Sequence, residues 1–146
     1  CPPRRSSDLF QEATHRLISH DINVRAFVLL RPPFLTEQEG VHWATKTMEY
    51  AFECGVECCS LVPVRGGNGV LDQLQKRGDF TPPNLKSMES ALVAGLGMKR
   101  GRVFMDLWDV QRFVTCHRCS SDRQNRILQM NQTQTVIQGD DCGDCG

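Results

Sequence analysis

The stretch VRAFVLLRPPFLTEQEGVHWATKTMEYAFECGVECCSLVPVRGGNG, residues 24–69, decides the fold. Val24 to Leu30 is a short, nearly continuous apolar run, expected of a strand covered on both faces. Arg31-Pro32-Pro33 stops it. Thr36-x-x-Glu39 is a capping box, and Val41, Ala44, Met48 and Ala51 then recur at helical spacing toward Cys54 and a Gly55 cap. Val56 to Val62 is a second apolar run, closed by a glycine-rich loop, Pro63 to Gly69. One strand, one helix and a second strand make a βαβ unit, so the sheet is expected to be parallel with right-handed crossovers.

The pattern continues on both sides. Upstream, Asp8 to about His20 carries Phe10, Ala13 and Leu17 at helical spacing. Downstream, a short helix with Val70, Leu71 and Leu74 inward ends at Gly78. Leu85, Met88, Leu92 and Leu96 form the stripe of the next helix. Arg102 to Leu107 reads as a third strand. A last helix is expected from Ser121, opening a Ser-x-x-Gln box, to about Met130. Three strands are too few to close a barrel. The repeat therefore reads as about half of a (β/α) barrel, with a small open doubly wound sheet as the other solution.

Composition sets bounds on function. The chain has 146 residues with 17 basic and 17 acidic side chains, so nothing announces bulk attraction to nucleic acid or membrane. No apolar run approaches a membrane span, and no signal-peptide pattern opens the chain. Eight cysteines are many. Four form two C-x-x-C pairs, Cys116/Cys119 and Cys142/Cys145. Cys54, Cys58 and Cys59 lie in apolar segments and read as core thiols. A reducing, cytoplasmic setting with a metal site is expected; a secreted disulfide scaffold is the other use of so many cysteines. The chain divides accordingly into (β/α) repeats, 1–113, and a four-cysteine metal-binding tail, 114–146.

Two C-x-x-C turns supply four soft sulfur ligands, which suits a structural, tetrahedral zinc. An iron–sulfur cluster also takes four cysteines, and two disulfides would use the same residues. In parallel α/β folds ligands bind beyond the carboxyl ends of the strands. Those positions hold Arg31, then Arg65, Gly66, Gly67 and Asn68, then Asp106, Trp108 and Asp109. Two arginines, two carboxylates and an indole suit a charged, planar ligand. The ordinary reading of the same residues is turn glycines and solvated charges. The GGNG loop has neither the P-loop nor the dinucleotide-fingerprint spacing. His15, His20, His42 and His117 read as solvated, packed or turn residues.

Several phrases resemble one family. Arg31–Glu39 (RPPFLTEQE), Ala51–Pro63, Arg77–Leu85 (RGDFTPPNL) and the tail, with MNQTQ between its cysteine pairs, are similar to the radical S-adenosylmethionine (SAM) proteins. The likeness is to the radical SAM subunit of archaeosine synthase and its bacterial relatives, a group itself similar to the elongator catalytic subunit, and it covers nearly the whole chain. It implies the second half of a partial radical SAM barrel, TIM barrel-like in its units. It implies SAM and a [4Fe–4S] cluster as cofactors, and a tRNA nucleobase or other small substrate attacked through a 5′-deoxyadenosyl radical. Arg65 to Asn68 would be the SAM-side loop; Arg31, Asp106, Trp108 and Asp109 would line the pocket. The family's C-x-x-x-C-x-x-C is absent: Cys54, Cys58 and Cys59 do not fit it. The chain also opens on Cys1 with no initiating Met. The resemblance thus implies a carboxyl-terminal portion, inactive in isolation, dependent on an electron donor that the sequence does not name. A zinc-stabilised module that recruits a protein or RNA without catalysis is the alternative. A half barrel also leaves an open sheet edge, through which self-association is expected.

Overall fold

The computed structural model describes residues 5–67 and 69–145. The order is α1 (Ser6–Ile18), β1 (Arg25–Leu30), α2 (Glu37–Glu53), β2 (Cys58–Pro63), α3 (Gly69–Arg77), α4 (Leu85–Gly97), β3 (Arg102–Met105), a 3₁₀ turn (Val110–Phe113) and α5 (Ser120–Thr133). The strands form one parallel sheet in sequence order, β1-β2-β3, with Phe27, Ser60 and Phe104 in one cross-strand row. No helix among the described residues is long and apolar enough to cross a membrane.

Local chemistry starts α2 where the sequence predicts, whereas α1 begins at Ser6, ahead of Asp8, and α5 begins at Ser120 behind Cys119, with no side-chain cap and so without the expected Ser121 box. Thr36 Oγ1 accepts from Glu39 N–H, and the Glu39 carboxylate accepts from Thr36 N–H at 2.8 Å, closing the box on α2. Those bonds hold the Glu39 carboxyl below the usual carboxylate range. Asn84 caps α4 by accepting from Ser87 N–H at 2.9 Å. α2 and α4 cross closely because Gly95 leaves room: a Cβ there would come within 2.9 Å of Met48 Sδ and Val103 Cγ1.

All the packed helices lie on one face of the sheet. α2 sits over β1, α4 over β3, and α5 against α4 and β3. Ala26, Val28, Leu30, Leu61, Val103 and Met105 point under them into a core shared with Met48, Met88 and Leu92. The other face carries no layer, so Phe27 is 71 % and Leu29 55 % exposed. β1 was expected to be covered on both faces; it alternates instead, because no described element packs on the second face. β2 is buried nearly throughout, as a central strand should be. α3 departs from expectation too: Val70 is exposed and no residue of the helix is buried.

The residues that sequence assigns to the tail enter the same core. Ile127 and Met130 of α5 are fully buried there. Two side-chain amides then close the outer edge of β3. Asn131 accepts from Met105 N–H at 2.8 Å and donates to Met105 C=O at 2.9 Å; Gln134 does the same to Val103, both at 2.9 Å. They imitate a fourth strand. Replacing both with alanine removes four hydrogen bonds from an edge that water can reach, each worth about 0.5–1.5 kcal/mol net. The double variant is expected to lose stability in urea titration and to self-associate in sedimentation, while either single variant shows a smaller effect of the same sign.

Candidate metal centre and ligand rim

The four tail cysteines converge. The Sγ atoms of Cys116, Cys119, Cys142 and Cys145 all lie within 4.8 Å of one another, with Cys116–Cys142 at 3.8 Å and Cys119–Cys145 at 3.5 Å. A tetrahedral ion with zinc–sulfur bonds of ~2.3 Å holds its sulfurs about 3.8 Å apart. Four soft donors at this spacing form a group that can hold a metal ion.

Each turn presents its sulfurs for a local reason. Cys119 caps α5, whose Arg123 N–H bonds back to Cys119 C=O at 3.0 Å, so this thiol sits at the positive end of a helix. In the second turn Cys145 N–H donates to Cys142 C=O. The N–H groups of Asp144 and Cys145 face the Cys142 sulfur and lower its pKa to about 7. Cys145 is pushed up to about 12, first by its hydrogen bond to the Cys119 sulfur, then by burial and the other thiols. Four thiolates this close repel one another, and a cation among them removes that repulsion; the donor set fits a metal. Arg118 and Asp144, 3.1 Å apart, join the two turns.

A second layer ties the cluster to the body. Arg123 donates from Nε to Cys119 Sγ at 3.3 Å and pairs through its other end with Glu89 of α4. Glu89 also pairs with Arg126, whose guanidinium lies where a Cβ on Gly139 would stand. Glu89 and Arg123 are both buried. The sequence reading missed this network, although two signals were present. Arg123 follows Cys119 by four residues, one helical turn, and Glu89 interrupts an apolar stripe next to Met88.

At the carboxyl rim of the sheet, three expected residues meet. Arg65 bonds Asp106 at 2.7 Å and Trp108 C=O at 2.8 Å, with its guanidinium 4.6 Å from the Trp108 ring and 5.6 Å from the Phe113 ring. Beside it opens a cleft of ≈430 Å³ lined by Arg65, Gly66, Gly67, Asp72, Arg112 and Phe113, among others. Asp109 does not face Arg65. It pairs with Arg112 at 3.1 Å, and Arg112 reaches Gly66 C=O. Gly67, at φ +111°, donates to Asp72 at 2.8 Å. Asn68 lies outside the described residues.

Arg31 stands apart. It pairs with Glu37, donates to Pro82 C=O at 2.9 Å, and borders a different hollow with Phe34. Its loop carries two positive φ angles, +55° at Arg31 and +70° at Phe34; Asp109, in the loop after β3, has +54°. A bulky residue held there needs its surroundings to fix it. Phe34 is pinned by its N–H to Asp79 C=O at 2.7 Å, and its ring is left 72 % exposed, as is Trp108.

Cys54, Cys58 and Cys59 do not gather into a ligand set. Cys58 and Cys59 are adjacent in β2 and point to opposite faces. Burial pushes the Cys59 thiol up to about 11.

Comparison with family models, curated proteins and solved structures finds no match to this chain.

Proposed function

We propose that this chain is the carboxyl-terminal part of a radical SAM enzyme, with a structural zinc in its tail. One observation carries the reading. The parallel sheet is wound in one direction, with its helices on a single face and apolar Phe27, Leu29 and Phe104 on the other. A barrel segment needs that arrangement, whereas a doubly wound sheet puts helices on both faces. Zinc is favoured over an iron–sulfur cluster in the tail because the thiols stand at single-ion spacing, and a cage of irons and sulfides between them would hold them further apart.

In this reading Arg65 to Asn68 face SAM, and Asp106, Trp108, Asp109 and, from its separate hollow, Arg31 face a nucleobase of tRNA or another small substrate. SAM with a reduced [4Fe–4S] cluster supplies the 5′-deoxyadenosyl radical. The described cysteines do not fit that cluster, so the chain by itself yields no 5′-deoxyadenosine. What its own residues supply is a rim: Arg65 holds Trp108 in place, and Gly66 and Gly67 admit a ligand close to the backbone. The setting is reducing and cytoplasmic.

The test is SAM binding by the zinc-loaded chain, followed by Trp fluorescence and calorimetry. Saturable binding is expected, weakened at least about tenfold, or ~1.4 kcal/mol, by Arg65→Ala and by Trp108→Ala. No binding at millimolar SAM would sink the SAM-side reading. The second reading, a zinc-stabilised module that recruits RNA or protein, is favoured by one observation: Arg31, Arg65 and Arg112 are already paired within the chain, while Phe34 and Trp108 are exposed. It expects zinc retention with no response to SAM.

A further inference from the structure

We propose that the outer flank of β1, beneath α1, is a docking slot for one parallel β-strand of a further (β/α) unit. The inference rests on the barrel-segment reading of the sheet and is independent of SAM chemistry.

The two edges of the sheet are unlike. In β1 the even residues turn their backbone groups toward β2, as shown by Val24 C=O accepting from Glu57 N–H and Leu30 C=O from Val64 N–H, both at 3.1 Å. The N–H and C=O groups of Arg25, Phe27 and Leu29 therefore point outward, and no partner meets them among the described residues. On β3 the matching groups of Val103 and Met105 are taken by Gln134 and Asn131. The sheet is finished on the β3 side and extendable only on the β1 side.

α1 already stands over the missing position. On α2, Met48 packs against Gly95 of α4. Tyr50, two residues on, is turned about 200° around the helix. Tyr50 is the residue that meets α1: its hydroxyl donates to Ser7 C=O at 2.7 Å and its ring lies 6.0 Å from Phe10. α1 is thus on the opposite side of α2 from α4, beyond β1. A crossover helix entering β1 from a preceding parallel strand would lie there. Apolar side chains remain uncovered here: Leu9, Leu17 and Ile18 of α1 and Ile22 just after it are exposed, and Thr14 is the one buried residue of α1.

The slot also specifies its occupant. Arg25 lies over the Phe104 ring and donates to Cys58 Sγ at 3.3 Å, yet makes no ion pair among the described residues. Phe27 and Leu29 follow on the same open face. The complementary strand has an acidic residue beside Arg25, apolar residues beside Phe27 and Leu29, and apolar residues between them under α1. A second copy, the occupant expected from the open edge, lacks the acidic residue: its own β1, Arg25–Leu30, would set only arginine and apolar side chains beside Arg25, Phe27 and Leu29.

The probe is a synthetic peptide with glutamate followed by four valine or isoleucine residues, between lysine-rich ends. Amide hydrogen exchange is read at Phe27 and Leu29, with Val103 and Met105 as internal controls. Peptide is expected to slow exchange at Phe27 and Leu29 at least tenfold and leave the controls unchanged. Lysine in place of the glutamate should weaken binding at least tenfold. Phe27→Asp should abolish protection while metal content stays the same. No protection at millimolar peptide overturns the slot. So does protection of the same amides by dimerisation alone, seen in sedimentation without peptide. SAM binding is scored separately, so either proposal can fail while the other stands.

Discussion

On the proposed zinc reading, removal of the metal, by chelation or by Cys142→Ser, is expected to lower the thermal midpoint by roughly 10 °C or more, since several kcal/mol of metal-derived folding free energy are at stake and each kcal/mol moves a domain of this size by about 2–8 °C. The loss should exceed that of an ordinary surface clamp because the site anchors a core helix. Cys119 opens α5, and Ile127 and Met130, two and three turns on, fill space beneath α4. With the ion gone, the thiol group has no common partner and the 135–145 segment is left tied to the start of α5 through the exposed Arg118–Asp144 pair and the thiols' own contacts. Calorimetry with and without chelator, alongside released-zinc titration, checks this. A midpoint unmoved after complete metal release would mean that the four thiols meet without contributing to the fold.

Glu89→Gln is the second large effect. The substitution keeps the shape and removes the charge, leaving the buried Arg123 and the half-buried Arg126 with no carboxylate between them. Breaking one partner out of a buried ion group costs about 3–5 kcal/mol, largely the penalty of the stranded charge. Arg123 would also lose the anchor that aims its Nε at Cys119, so metal affinity should fall with stability. Urea denaturation of Glu89→Gln against the triple variant Glu89→Leu, Arg123→Met, Arg126→Met separates the two contributions. The triple variant should recover much of the stability, since matched apolar groups leave no charge unpaired, but not the metal affinity.

The sequence made some parts of this molecule legible because their causes are local. The capping box at Thr36 and Glu39 and the βαβ rhythm of residues 24–63 depend on neighbours within a few positions. The C-x-x-C spacing carries its chemistry in the same way, and the four thiols do meet. What was not legible depends on partners far along the chain. An apolar run such as VRAFVLL signals apolar neighbours without saying on how many faces, and β1 has them on one. The fates of Arg31 and Asp109 turned on Glu37 and Arg112, which compete for them before a ligand could. Glu89, Arg123 and Arg126 come from two helices whose approach no single-segment pattern announces. Nothing local to Asn131 and Gln134 announces their role, because their partners, Met105 and Val103, lie about 30 residues earlier.

That last separation has a consequence during synthesis. β3 leaves the ribosome first, with the outward groups of Val103 and Met105 bare. Its stopper follows about 30 residues later, which at ~5–20 residues per second is an interval of a few seconds. Through that interval the nascent sheet is open beyond β3. Afterwards one side is shut by the chain's own amides, at the same stage as the four sulfurs become able to gather. The closed β3 edge of the finished sheet is therefore laid down in the order in which the ribosome delivers its parts.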